Sequence, residues 1–205
     1  MYQSTFPGIY NFGCRLFLER SDRVLAHIVE MTGSLKGKIV CEVGAGTGRM
    51  LGAFDKMSIA KYYFVEPKEQ FIQYARSRNH NKKVVYVCTT GENIAEHISE
   101  LVDVVLFVDS FHHIPNKGQL QSLQAAYSIL KPHGFIVLVE FDASKLGGKA
   151  VKLVEGLCGE PATLHSAHAL GILLEESGFK SIKVRQARAK LLPGIIECGK
   201  KPKQK

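Results

Sequence analysis

No run of apolar residues in this sequence reaches the roughly 18 that a bilayer-spanning helix requires, and Met1 to Tyr10 carry no basic leader region. Neither a membrane span nor an export signal is therefore expected. Paired cysteines are also missing: Cys14, Cys41, Cys88, Cys158 and Cys198 are odd in number, scattered, and include no C-x-x-C. That argues against a disulfide framework and a structural zinc site, and points to a reducing, cytoplasmic setting. There is no internal repeat, low-complexity tract or Pro/Ser-rich linker. A chain of this size with nearly half its residues apolar is read as one domain spanning 1–205.

A spread of positive charge is lacking too. The net charge is +8, yet residues 180–205 hold nine Lys or Arg against one Glu, and the first 179 residues balance at 18 against 18. The basicity belongs to the C-terminal end, where Lys200–Lys205 reads as a solvated tail. A nucleic acid partner would call for a broader basic surface with aromatic platforms, and is disfavoured.

What is present is alternation. Short β-branched runs near 38–43, 61–66, 84–88, 103–108 and 134–141 have the near-continuous apolar character of strands buried on both faces, and two later strands are expected near 180–185 and 194–199. Segments with helical spacing lie between them, near 21–33, 48–56, 68–78, 92–99, 117–130, 146–157 and 165–177. Stop signals stand at Lys131-Pro132 and Ser177-Gly178. The pattern is that of an α/β, doubly wound, seven-stranded sheet.

The strongest local signal is Val40-Cys41-Glu42-Val43-Gly44-Ala45-Gly46-Thr47-Gly48, a buried strand running into a glycine-rich turn and then a helix. Glycines there permit a tight turn and let a ligand lie against bare backbone. A dinucleotide fingerprint, G-x-G-x-x-G, would place its third glycine where Arg49 stands, and a phosphate-binding loop would need a Lys and a hydroxyl that Gly48-Arg49-Met50 does not supply. At the end of the second strand Glu66 precedes Pro67, a placement from which a carboxylate can accept hydrogen bonds from both hydroxyls of a ribose.

The pattern E-x-G-x-G-x-G at Glu42–Gly48 resembles the first motif of the class I S-adenosylmethionine (SAM)-dependent methyltransferases. Further segments are similar to that family at matching offsets. They are Phe64-Val65-Glu66-Pro67, Cys88-Thr89-Thr90-Gly91-Glu92-Asn93-Ile94, Asp103 through Val108-Asp109-Ser110-Phe111-His112-His113-Ile114-Pro115, Ile129-Leu130-Lys131-Pro132-His133-Gly134 and Glu175-Glu176-Ser177-Gly178-Phe179. The resemblance covers roughly residues 37–200. It implies a Rossmann-like sheet, mostly parallel with an antiparallel last strand, binding SAM and releasing S-adenosylhomocysteine.

The resemblance also implies roles. Glu42, Gly44, Ala45, Gly46 and Gly48 would form the loop beneath the methionine part of the cofactor, with Glu66 and Pro67 at the ribose, Gly91 and Glu92 at the adenine, and Val108 and Asp109 at the amino end. Thr90 stands where the family usually has an aspartate that receives the adenine amino group. That contact therefore falls to Glu92, the Thr90 hydroxyl or backbone groups around Gly91. His112 and His113 are candidates for acid/base work, or alternatively for shaping the turn after the fourth strand. No metal site is expected, since His165 and His168 have no acidic or cysteine partner nearby.

Methyl transfer from a sulfonium is a direct displacement that needs alignment and exclusion of water, and a base only when the acceptor carries a proton to lose. A small-molecule acceptor is the leading expectation. An RNA- or protein-modifying methyltransferase and a non-catalytic SAM-binding regulatory module are the alternatives. Acceptor choice is expected from the segment 1–20, with Tyr2, Phe6, Tyr10 and Phe12 as an arm or lid, and from an insert at Asp142–Thr163. The resemblance would place Gln186–Pro193 on the cofactor side of the sheet, where Arg185, Arg188 and Lys190 could attract an anionic substrate. No feature of the sequence sets the oligomeric state.

Overall fold

The structure, a computed structural model, describes residues 20–157, 162–188 and 193–203. The aromatic residues expected in the arm, the middle of the insert and Lys190 lie outside these residues. In chain order the elements are α1 (Ser21–Thr32), β1 (Ile39–Val43), α2 (Leu51–Phe54), β2 (Lys61–Val65), α3 (Glu69–Arg78), β3 (Val84–Val87) and α4 (Ile94–His97). There follow β4 (Val102–Val108), α5 (Asn116–Ile129), β5 (Leu130–Phe141), α6 (Leu146–Leu157), α7 (Ala167–Glu176), β6 (Lys180–Arg188) and β7 (Pro193–Lys200). The turns Gly91–Asn93 and Phe111–His113 are 3-10 helical.

The seven strands form one sheet in the order β3-β2-β1-β4-β5-β7-β6. The first five pair in parallel, and β7 runs antiparallel to both β5 and β6. This is the expected mostly parallel sheet with a reversed last strand. Burial on both faces explains the apolar strands. On one face Val40, Phe64, Leu106 and Val137 pack with Ile28, Met50 and Ile72 from α1, α3 and the loop before α2. On the other, Cys41, Val43, Phe107 and Leu138 pack with Ile94, Leu123 and Leu174 from α4, α5 and α7.

Four elements differ from the sequence expectation. The helix expected over 48–56 is a single turn, because Gly48 takes a left-handed φ of 82° and the backbone leaves helical geometry just where the loop ends. The helix expected over 92–99 is a 3-10 turn followed by one α turn. α5 ends at Ile129, as the stop signal at Lys131-Pro132 implies, but the strand expected from 134 already begins at Leu130. Leu130 already pairs with Val102, and the next rung joins Val104 to Phe135, so the intervening residues bulge out with His133 at φ 65°.

The expected solvated tail also begins later than residue 200. Lys201 is 4% exposed, and its Nζ donates to Tyr127 O at 2.8 Å and Leu130 O at 2.7 Å, satisfying carbonyls that the end of α5 leaves open. Its backbone pairs with His133 and Gly134, which holds the bulge. Arg185, expected as an attractor of anions, is ion-paired with Glu30 of α1.

Within β7, Glu197 is fully buried, and neither of its carboxylate oxygens has a hydrogen-bond partner among the described residues. Burial pushes its pKa up to about 8, with the nearby Asp142 adding to the shift. An unfolded glutamate ionises near 4.5. Between those values the native state keeps a proton that the unfolded chain has lost, so stability falls as pH rises across the window. The melting temperature is therefore expected to decline from about pH 5 to about pH 9, and Glu197→Gln, which cannot ionise, to flatten that decline by on the order of a few degrees. Parallel slopes for the two proteins in thermal melts would remove Glu197 as the cause.

Candidate active site

At the carboxyl ends of β1, β2 and β4 the chain opens a cleft of about 700 Å3, within the range of small-molecule sites. The parallel strands place it there: β1 turns away into the glycine loop while β4 turns the other way into Asp109 and Ser110, so the two backbones part. Gly44 and Ala45 donate to Val65 O at 2.9 and 3.0 Å, which stitches the loop to β2. Gly44 has φ 72°, and a Cβ there would stand 2.7 Å from Cβ of Ser110. Ser110 Oγ in turn donates to Val43 O at 2.7 Å, closing the gap between β1 and β4 from the far side.

Glu66 is 5% exposed and accepts from Gly46 N at 2.9 Å on one oxygen and from Lys68 N at 3.0 Å on the other. A carboxylate oxygen accepts more than one donor, so each retains capacity toward the cleft. Burial raises its pKa, and the two amides oppose that rise. Asp109, at φ 50°, is ion-paired with Arg49, and its amide is held by Val139 O at 2.8 Å. Burial raises the Asp109 pKa while the Arg49 guanidinium lowers it. Arg49 thus reaches back from the loop to the end of β4, and Ser21 Oγ bonds its carbonyl at 2.9 Å.

Of the expected cofactor contacts, Gly44, Gly46, Glu66, Pro67, Glu92 and Asp109 line the cleft, together with Thr90 and Phe71. Glu42, Ala45, Gly48, Gly91 and Val108 stand behind that lining. Glu42 is buried on the α1 side of the sheet, where the Tyr62 hydroxyl donates to it, and burial lifts its pKa to about 7. Gly48 lets α3 come close, since a Cβ there would meet that of Ala75 at 3.2 Å. Gly91 does the same for α5, where a Cβ would stand 2.8 Å from Ser122 Oγ. The Glu92 carboxylate lies against Gly118 in the first turn of α5, an end of the helix dipole that favours negative charge.

The two histidines part company. His113 lines the cleft, and His112 is buried behind it with its Nδ1 on Glu140. The other Glu140 oxygen accepts from Ser110 N at 3.1 Å and Phe111 N at 2.7 Å. One buried carboxylate therefore organises the whole turn from Ser110 to His113. The same turn grips the insert's return: Thr163 N donates to His112 O at 2.8 Å, and Gln119 Nε2 reaches both Phe111 O at 3.3 Å and Thr163 O at 3.4 Å. His165, half-buried, shares a 2.7 Å bond with Gln119 Oε1, and no group of three metal-capable side chains occurs among the described residues.

Sequence reasoning missed Glu140, Arg49 and Gln119 as organisers of the site. Glu140 had a readable signal, a lone acid near the carboxyl end of an otherwise apolar strand. Such a residue must find buried donors or take up a proton.

Comparison with known proteins follows this geometry. A methyltransferase-domain family profile matches residues 41–138, from the middle of β1 through β5, which carry most of the cleft. The chain is 25% identical over 121 residues to a ubiquinone/menaquinone biosynthesis C-methyltransferase of Hydrogenovibrio crunogenus, covering 56% of this chain and 46% of that protein. It is 30% identical over 115 residues to a tRNA U34 carboxymethyltransferase of Helicobacter pylori, covering 54% of this chain and 43% of that protein. These matches span under half the length of the two relatives. In fold it is similar to a SAM-dependent methyltransferase of Archaeoglobus fulgidus, with a TM-score of 0.76 and 16% identity over 94% of this chain and 99% of that one. In its matched domain, its glycine-loop motif and its sheet, the chain is similar to the class I SAM-dependent methyltransferases.

Proposed function

We propose that the protein transfers a methyl group from SAM to a small-molecule acceptor in the cleft above β1 and β4. The observation that carries the proposal is the cleft floor itself. Bare backbone at Gly44 and Gly46 lies beside two carboxylates, the buried Glu66 and the partly exposed Asp109, which follow β2 and β4 on opposite sides of it. A ligand that suits this floor is long, has hydroxyls at one carboxylate and a cationic group at the other, and fills about 700 Å3. SAM meets that description. Glu66 would accept from its ribose hydroxyls and Asp109 would face its amino end. Gly44 and Gly46 would lie under the methionine chain, and Glu92 and Thr90 would face the adenine.

When bound, SAM supplies a methyl carbon on a positively charged sulfur. The acceptor's electron pair forms the new bond as the carbon–sulfur bond breaks, and the sulfur keeps that pair and becomes neutral. The chain's own part is to align the acceptor, exclude water and, where the acceptor is protonated, take its proton. Of the two histidines, His113 would take that proton, a reading supported by its position in the cleft lining. His112 acts through it, held by Glu140 so that the Ser110–His113 turn keeps its shape. Support for a small acceptor comes from the ubiquinone/menaquinone relative and from the largely apolar lining of the cleft. The insert after β5, whose return supplies Thr163 to the cleft wall, is the segment proposed to select the acceptor.

Two measurements test this reading. In calorimetric titration the protein is expected to bind SAM and S-adenosylhomocysteine with micromolar affinity, and Glu66→Ala to weaken both by about 10- to 100-fold, the value of one or two hydrogen bonds to a charged acceptor. Folded protein that binds neither ligand would eliminate the methyltransferase assignment. Gly44→Ala combines a strained φ with a clash against Ser110, and is expected to cost about 1–3 kcal/mol in urea unfolding and to weaken cofactor binding. Wild-type stability and affinity in that variant would mean that the loop does not depend on bare backbone at position 44.

A further inference from the structure

The insert that follows β5 carries a surface which the transfer reaction does not require. In α6, Leu146 is 85% exposed and Leu153 is 64% exposed, and Ala150 between them is exposed as well. Positions 146, 150 and 153 recur at helical spacing and so form one stripe. Lys145, Lys149 and Lys152 repeat on the neighbouring stripe, and all three are exposed. The helix has a single acid, Glu155, against these lysines. The inner face is made by Gly148, packed on the Asp142 carbonyl, and by Val151, so the leucines are not the residues that fasten α6 to the protein.

The chain before this helix, and the chain from residue 162 on, are tied to the rest of the fold. Asp142 Oδ1 accepts from Ser144 N at 2.9 Å and Ser144 Oγ at 2.7 Å, and Ala143 N donates to His165 O at 3.0 Å. On the return, Thr163 both lines the cleft and bonds the turn that carries His113. The stripe therefore belongs to the same insert as Thr163 of the cleft wall.

We infer that α6 docks the protein on an anionic lipid surface, its leucines entering the interface and its lysines meeting the headgroups. Three considerations favour this occupant. Exposed leucine next to a row of lysine on one helix is the pattern of interfacial helices, which pair buried apolar area with attraction to anionic lipid. Each lysine adds roughly fivefold to such binding. The stripe from Leu146 to Leu153 is only about 10 Å long, small against the roughly 800 Å2 per partner of a stable protein interface. No described helix is long and apolar enough to cross a membrane, so the contact is peripheral. The inference stands apart from the methyl-transfer reading, since lipid binding needs neither SAM nor an acceptor.

The test is co-sedimentation of the full chain with vesicles of phosphatidylcholine alone and of phosphatidylcholine with phosphatidylglycerol. Binding to the anionic vesicles, weakened by high salt, is expected, with little to the neutral ones. Leu146→Ser with Leu153→Ser, and separately Lys145, Lys149 and Lys152 all →Gln, should each reduce partitioning at least tenfold while leaving the thermal melt and S-adenosylhomocysteine titration unchanged, as befits exposed positions. Absence of wild-type binding, binding indifferent to either set of substitutions, or self-association that the leucine substitutions abolish would each overturn the inference. Failure of SAM binding with intact vesicle binding would instead count only against the function proposed above.

Discussion

The site depends on one constraint of the sheet, the parting of the chain after β1 and after β4. These strands are neighbours in the sheet, yet their continuations lead to helices on opposite faces, so a crevice must open between them. Closing it with side chains would fill the space a ligand needs. The chain leaves bare backbone on one side, Gly44, and a small hydroxyl on the other, Ser110, whose Oγ bonds back to Val43 O. With the floor so narrow, the positive φ at Gly44 and Asp109 is a consequence of fitting two diverging turns into one gap.

A second consequence concerns charge. Strands covered on both faces leave no water for acidic side chains, and four glutamates nonetheless sit buried on or directly after β1, β2, β5 and β7. Each meets the cost differently. Glu66 takes two backbone amides and keeps a side toward the cleft, while Glu140 takes two amides and His112 and faces inward. Glu42 has the Tyr62 hydroxyl and a pKa raised to about 7, and Glu197, with no bonded partner among the described residues, is pushed up to about 8. Amide donors stabilise the anion and one hydroxyl does so less. Of the four, Glu66 alone lines the cleft, and Glu140 holds the turn behind it.

These distinctions also mark what could be read from sequence. Alternation of apolar runs and helical spacing conveyed all seven strands, and the glycine loop conveyed the place of the cleft, because both reflect local geometry written in neighbouring residues. The Glu66 position was legible for the same reason, standing at a strand end. What escaped were contacts between residues far apart in the chain: Arg49 with Asp109, Gln119 with Thr163, Glu140 with the Ser110–His113 turn. The bulge at Lys131–Gly134 escaped too, since its strand pairing is set by Val102 and its backbone is held by Lys201 from the other end of the chain. His112 and His113 are adjacent in sequence, and only the position of Glu140 separates the buried one from the one lining the cleft.

The matched portion of the chain and the unmatched portion divide along the same physical line. Residues 41–138 contain the glycine loop, Glu66, Glu92 and Asp109 and match the methyltransferase-domain profile, while the relatives that the chain resembles are named for a quinone-biosynthesis C-methylation and for a tRNA carboxymethylation. A floor shaped by sheet topology can serve such different chemistry because it meets only the common ligand. The segment from Asp142 to Thr163 lies outside that matched stretch, and it is tied to the rest of the chain by Ala143 N on His165 O and Thr163 N on His112 O. Those ties use backbone groups, so side chains between them can differ without disturbing the carboxylates of the floor. The proposal that this segment selects the acceptor and the inference that the leucine and lysine stripes of α6 dock the protein therefore rest on one stretch of chain.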